Sequence, residues 1–526
     1  MKSLYITNNG IRFSMYLIAI LPMLIFRDFT PDNELRYLSI ADEALQKGSV
    51  FSFSNHGIMY ADKPPLYFWI VMFGKWLWGY HSLLFLALFS FVPALVIIAI
   101  MDNWVKKSLS GRERLVAQLM LITSGYFIGA AVVLRMDMLM CLFIVLALHT
   151  FFRMYSGNSR QRDSILFPIY IFLAIFTKGP IGFIVPFVST ILFLIVQNEI
   201  RTIGKYWNLK TFVILLLLSG AWFIGVYSEG GNQYLNNLLF NQTINRAVNS
   251  FHHKEPFYYY FVSYLYSLAP WSLLIVGALI SGMKRKWISS DLERFFLSIA
   301  LSTFIILSLF SSKLAIYMLP AFPFLVYLGM VWITKLGVQQ WMLWLVGFPA
   351  VLLSLSFPGL IVSYIFYEFK EVGILPLVFI AGFILSGTGI LSIRFLIKRS
   401  MNNAIISLAT GVLLSLFTAS FAIPKYNRYI GFQLVCDQAK EIATKKGNVN
   451  YYFCEMSRAE NMDIYLGKKP EKLSIADLFS SNSQIKTPAI IFTNQKAIDR
   501  NDSLRLFIQD KVPHQLGGNY YIEIDR

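Results

Sequence analysis

Cysteine is scarce in this 526-residue chain: Cys141 lies in an apolar run, and Cys436 and Cys454 lie in a polar tail. Cys436 and Cys454 share one compartment, and the sequence leaves open whether they pair; neither the cysteines nor the 6 histidines show the spacing of a zinc site. Charge is scarce as well. Only 14% of residues are charged, and the 29 acidic residues are outnumbered by 46 basic ones. A basic excess of +17 can mark a nucleic-acid binder. Here the basic residues sit mainly in short turns between apolar runs, the positive-inside pattern of a membrane protein, so no nucleic-acid partner is expected.

What is abundant is apolar sequence: 56% hydrophobic and 16% aromatic residues, with a mean hydropathy of +0.56. Runs of about 20 apolar residues recur, each long enough to cross a bilayer. Backbone groups in lipid must be bonded internally, so these runs predict helices. The first covers roughly 13–27, and others follow at about 82–104, 115–134, 138–153, 164–177, 181–197, 211–228, 258–282, 294–312, 314–334, 340–366, 374–396 and 403–422, about 13 in all. No convincing cleavage site follows the first run, which is expected to be retained. Lys2 and Arg12 then place the N-terminus in the cytoplasm, and an odd count puts the C-terminal tail on the opposite side.

The turns test this topology. Lys106, Lys107, Arg112 and Arg114 share one turn, Arg160 and Arg162 the next on that side, and Arg201 and Lys205 another. Lys284, Arg285 and Lys286, then Lys335, then Arg394, Lys398 and Arg399 continue the series. All fall on the expected cytoplasmic side. The other side keeps scattered basic residues: Lys63, Arg135, Lys178, Arg246, Lys254 and Lys313. The predicted fold is therefore an α-helical polytopic membrane protein over 1–423, with an external loop at 28–80. A small soluble α/β domain follows over 424–526, marked by helical spacing near Arg428–Ala443 and β-like runs at Tyr451–Cys454, Ala489–Thr493 and Tyr520–Ile524.

The external loop carries the densest polar chemistry. Asp32, Glu34, Arg36, Asp62 and Lys63 fall within it, and ionisable groups beside hydrocarbon mark a functional site by default. Ser39–Gln46 has helical spacing suited to the interface, and Pro64-Pro65 can open a second helix over Leu66–Trp78. A carboxylate just outside the membrane, Asp32 or Glu34, is a candidate base for transfer of a sugar to a hydroxyl. Asp32 pairing with Arg36 four residues on accounts for it equally well. Arg135 and Asp137 either tie two helices together or turn a second carboxylate to the same cavity. Lys63 suits phosphate as a compact charge, or snorkels to the interface. Lys178 and Lys313 sit similarly, and Tyr317 lines a lipid groove or a helix interface. His252 and His253 are candidate ligands, with Asp62, for a divalent metal.

In this order, Pro31-Asp32-x-Glu34-x-Arg36-Tyr37, Asp62-Lys63-Pro64-Pro65, Arg135-Met136-Asp137-Met138, Thr177-Lys178-Gly179-Pro180, His253-x-x-Pro256-Phe257 and Ser312-Lys313-x-x-x-Tyr317-x-Leu319-Pro320 resemble the GT-C glycosyltransferases. The resemblance is to the bacterial branch of the lipid A aminoarabinose transferase and the relatives of protein O-mannosyltransferases. It implies about 13 helices with a periplasmic C-terminal domain, in the inner membrane. It also implies a polyprenyl-phosphate (undecaprenyl-phosphate) sugar donor and a lipid A, glycan or protein acceptor. Asp32 is then the principal catalytic carboxylate and Asp137 the second acidic position. Lys63 contacts the lipid phosphate, with Arg36, Arg246, Lys313 and Tyr317 around the donor. Asp62 and His253 match positions of a metal site. Asn33 separates two acids that the family usually has adjacent, which leaves the base as Asp32 or Glu34. Asp62 stands where that branch commonly has Glu. A transporter or lipid flippase is the contrasting class, and it expects charges near the bilayer midplane and broken helices in paired halves.

Overall fold

The computed structural model describes residues 9–240, 254–285, 288–366, 375–479, 485–509, 511 and 513–524. Helix α1 (Asn9–Phe26) runs to one end of the bundle, and the chain then bends by 73° into Pro31–Lys47. That segment opens with Pro31 at the first position of a π-helical turn, Pro31–Leu35, where a missing N–H costs nothing. It continues as α2 (Arg36–Lys47), which buries Tyr37, Leu38, Ile40, Ala41 and Ala44 and ends on Gly48 at φ 68°. This left-handed cap suits glycine. A short hairpin, β1 (Ser54–Asn55) and β2 (Ile58–Met59), leads to α3 (Leu66–Trp78) directly after Pro65. Both helices expected in the external loop are present.

The bundle continues with α4 (Leu83–Trp104), α5 (Gly111–Ile122), α6 (Gly125–Val132), α7 (Asp137–Tyr155), α8 (Asp163–Lys178) and α9 (Ile181–Val196). Among the described residues, 8 helices are long and apolar enough to cross a membrane, or up to 11 if each sharply bent pair is one span. The expected count of about 13 is not reached by this measure. α8 and α9 have 16 residues each, below the roughly 20 that a 30 Å hydrocarbon core asks of an upright helix. The run at 115–134 is broken into α5 and α6, bent by 67°.

Burial sorts the helices into centre and rim. The stretch Ala315–Leu336 has 94% of its window inside the protein, against 17% for Gln340–Phe366 and 28% for Pro376–Ile397. The inner helix packs Tyr327 and Trp332 out of contact with any solvent. The outer ones present leucine, isoleucine and phenylalanine outward, as lipid-facing helices do.

The C-terminal part forms a five-stranded sheet in the order β4-β3-β5-β7-β6, built from β3 (Asn450–Cys454), β4 (Glu471–Leu473), β5 (Ala489–Asn494), β6 (Pro513–Leu516) and β7 (Asn519–Ile524). β3 is parallel to β4 and β5; β7 is antiparallel to β5 and β6. Alternation of side chains gives the sheet two faces. Tyr451, Phe453, Ile490 and Phe492 join the main core with Cys436 of the helix Gln433–Lys446, while Tyr452, Cys454, Ile491 and Ile522 form a second core. Cys436 and Cys454 therefore lie on opposite faces, and all three cysteines are free and buried.

This sheet region docks on the loop 28–80. Asp28 is the anchor: its carboxylate accepts from the backbone N–H of Gln433 at 2.9 Å and from the Tyr465 hydroxyl, and its own N–H donates to Asn427 at 2.9 Å. A side chain at Gly431 would overlap that carboxylate. Further out, Ser39 Oγ donates to Asp463 at 2.7 Å, and Asn461 donates to the carbonyl of Pro31 at 3.2 Å. The loop after α1 and the C-terminal region thus share one side of the bundle.

Candidate active site

The first loop is held rigid by a buried ion pair. Glu34 has no exposed surface, and Arg27 grips both its oxygens, at 2.6 and 2.7 Å. The same carboxylate accepts from the N–H groups of Thr30 at 2.8 Å and Leu134 at 2.7 Å, and Arg27 also donates to the carbonyl of Val132 at 3.0 Å. A carboxylate saturated by charge-assisted bonds braces the loop against the end of α6. It is not placed to take a proton from a substrate.

Two residues earlier, Asp32 has the opposite environment. Its side chain is 77% exposed and its recorded partner is Arg458 of the C-terminal region, at 3.7 Å. It sits on the π-helical turn, a local geometry frequent at functional positions, one turn before Arg36.

Behind this rim, charged groups converge from several elements. Asp137 opens α7 and is 1% exposed. Its carboxylate binds Lys178, the last residue of α8, and accepts from Arg135 Nε at 3.1 Å. Lys63 lies within electrostatic reach of both Asp137 and Lys178, and 3.4 Å from Asp62. Asp62 also accepts from the Tyr60 hydroxyl at 3.2 Å. Tyr37 is the hub: Arg36, Asp62, Arg135 and Asp137 all act on its hydroxyl, and the Arg36 guanidinium stands 5.8 Å from its ring centre and from that of Tyr60. Tyr317, on the 3-10 turn Ala315–Ala321, borders the cluster, with the Lys178 ammonium 4.7 Å from its ring centre. Arg36, Lys63, Arg135 and Lys178 thus face Asp62 and Asp137, a surplus of positive charge beside the membrane. Such a surplus suits a phosphate and its departing charge.

The structure therefore brings together Lys63, Arg36, Asp62, Asp137 and Tyr317, while Asp32 lies one turn before Arg36 and pairs with Arg458. Lys313 is set apart. It is 4% exposed, and its ammonium donates to the carbonyls of Glu255 at 2.9 Å and Phe310 at 2.6 Å. Arg246 and His253 lie outside the described residues. Among the described residues no three His, Cys, Asp or Glu side chains assemble as a metal site, so the metal reading rests on His253 joining Asp62. Sequence reasoning passed over Tyr67, which is 1% exposed and reached by Tyr37 and Asp137. Its hydroxyl makes no hydrogen bond to another described group. Its place two residues after Pro65 was the available signal. Arg27 and Asp28 were also missed, because their partners Glu34, Gln433 and Tyr465 come together only in the fold.

Fold and site define a class: a polytopic helical membrane protein with charged groups gathered at one end of its bundle. Residues 8–234 match the family model for dolichyl-phosphate-mannose-protein mannosyltransferase. The undecaprenyl phosphate-alpha-4-amino-4-deoxy-L-arabinose arabinosyl transferase of Edwardsiella ictaluri is 27% identical over 381 residues, 69% of this chain and 67% of that protein. Its counterpart in Pectobacterium atrosepticum is 27% identical over 59% of this chain, but that match spans only 56% of the relative. The crystal structure of ArnT from Cupriavidus metallidurans bound to undecaprenyl phosphate superposes with a TM-score of 0.76 at 17% identity, covering 98% of this chain and 97% of that one. The chain has the fold of ArnT and is similar in sequence to membrane glycosyltransferases.

Proposed function

We propose that the protein moves a sugar from an undecaprenyl-phosphate-linked donor to a lipid A or other envelope glycan acceptor at the outer face of the inner membrane. In this topology about 13 spans, counting the shorter α8 and α9, place the N-terminus in the cytoplasm and the C-terminal domain in the periplasm. The observation that carries the reading is the convergence of Arg36, Lys63, Arg135 and Lys178 on Asp62 and Asp137 where the bundle meets the external loop. The names of the relatives supply the donor class.

In the proposed reaction the donor phosphate rests against Lys63 and Arg36, beside Tyr317. Asp137 keeps Lys178 and Arg135 aimed at the same phosphate. Asp32 removes the proton from the acceptor hydroxyl, whose oxygen attacks the anomeric carbon from the side opposite the phosphate. The carbon–oxygen bond to phosphate breaks, its electron pair leaves with the polyprenyl phosphate, and the anomeric centre inverts. Glu34 drops from the candidate bases, since all its lone pairs serve the brace. Lys313, held by two carbonyls, adds to phosphate attraction at a distance, Arg246 stays a candidate for the same role, and a metal held by Asp62 and His253 would add further charge against it.

The test supplies purified protein with radiolabelled undecaprenyl-phosphate aminoarabinose and lipid A. Wild type should transfer label, and Asp32→Asn should lose about 10²–10⁴-fold in rate, the usual contribution of a general base. Undiminished transfer by Asp32→Asn would sink its assignment. The mannosyltransferase family match favours a second reading, a protein acceptor. Label appearing on serine or threonine peptides rather than on lipid A would select it.

A further inference from the structure

Between the C-terminal domain and the β1–β2 hairpin lies a cleft of about 1000 Å³. Its floor is the carboxyl end of β3 and the residues around the edge strand β4; its other wall is Asn55, His56 and Ile58. β3 is the strand at which the order of this sheet reverses, with β4 on one flank and β5 on the other. The cleft lies on the β4 flank, lined by the residues that leave β3 and those that enter β4. The loop leaving β3 carries a second mark. Glu455 at φ 51° and Arg458 at φ 63° both hold the left-handed conformation without being glycine, a cost that clusters at binding sites. Arg458 lines the cleft and also reaches Asp32, so the cleft opens beside the proposed base.

Its lining is of mixed sign. Arg458, Lys469 and Lys472 are interleaved with Glu455, Glu460 and Glu471, and Ser457 and Asn55 add neutral polar groups. Alternating donors and acceptors suit a ligand rich in hydroxyls. They do not suit a lipid tail, which needs an apolar groove, or a bare polyanion, which needs an excess of one charge. We propose that this cleft is the acceptor subsite and that it holds the saccharide headgroup of the acceptor with a hydroxyl directed toward Asp32. This rests on the transfer reaction proposed above. It adds that the C-terminal domain and the hairpin, rather than the membrane bundle, select the acceptor.

The test uses Ile58→Trp, which narrows the cleft from a position that is 75% exposed and outside the charged cluster. A second variant, Lys469→Glu, alters the opposite wall. Binding to the full-length protein is measured in detergent without donor, using two probes: lipid A and its de-acylated glucosamine disaccharide bisphosphate. Transfer is then followed with donor and acceptor varied in turn. The expected result is that wild type binds both probes and both variants weaken binding at least tenfold. The KM for acceptor should rise by the same factor while the KM for donor stays unchanged. Binding of lipid A without binding of the de-acylated probe would place recognition in the acyl chains and overturn the proposal. So would variants that bind like wild type, or that shift donor and acceptor KM together. If wild type binds the disaccharide but transfers no sugar to lipid A, the transfer reading fails while the cleft stands as a saccharide site. The binding arm thus separates the two failures.

Discussion

Helices α7 and α8 lie side by side, and an ion pair joins them at each end. At the end away from the external loop, Arg153 meets Asp163 at 2.5 Å, and the second carboxylate oxygen is taken by the backbone N–H of Arg160 at 2.9 Å. At the other end Asp137 meets Lys178, with Arg135 on its second oxygen and Lys63 close by. The far pair is one base against one acid. The near cluster has more bases than acids, and aromatic hydroxyls crowd around it. Arg114–Asp102 and Lys335–Glu293 are further acid–base pairs at the far end. A balanced buried pair ties helices together. An unbalanced cluster is the feature on which the proposed phosphate contact rests.

Removing one carboxylate from each end breaks the comparison most directly. Asp137→Asn should lower transfer by about 10²–10³-fold, the scale of a lost electrostatic contribution to a transition state. Asp163→Asn should leave the rate per folded molecule near wild type. It should cost about 3–5 kcal/mol of stability, because Arg153 is left unpaired; thermal unfolding in detergent together with the transfer assay reads both. Equal rate losses in the two variants would mean that the near cluster is structural too. Glu34→Gln belongs with the far end, and should destabilise by about 3–5 kcal/mol through the stranded Arg27, with donor KM unmoved in the surviving protein.

Lys63→Ala should raise the KM for donor by about tenfold, the equivalent of 1.4 kcal/mol, without a matching loss of stability. Lys313→Ala should change donor KM less, since its ammonium is already held by carbonyls. A larger effect at Lys313 would redraw the donor path. The smallest effect is expected from pH at the docking surface. Burial holds the carboxyls of Asp28 and Asp463 above the ordinary range, against hydrogen bonds from Tyr465 and Ser39 and the nearby His56 ring, with Asp42 and Glu34 adding repulsion. A carboxyl raised in the folded state contributes stability that is full below its unfolded pKa and is lost as pH rises through the folded one. Hydrogen exchange across 28–60, corrected for intrinsic rates, should therefore show tighter docking at mildly acidic pH, and Asp463→Asn should flatten the dependence.

The amino-acid order alone determined that this is a helical membrane protein with a small α/β tail, because runs of apolar residues and their basic flanks act locally. It also singled out the loop of Asp32 and Lys63, since charge beside lipid is costly wherever it falls. What it left open were partnerships. Asp32 and Glu34 look alike in sequence, two positions apart, yet Arg27 and the N–H groups of Thr30 and Leu134 enclose one, while the other meets solvent and Arg458. The fate of Cys436 and Cys454 was decided by the two faces of a sheet. Local sequence sets which groups are available, but only the tertiary structure decides which of them are already satisfied, because those partners come from distant parts of the chain.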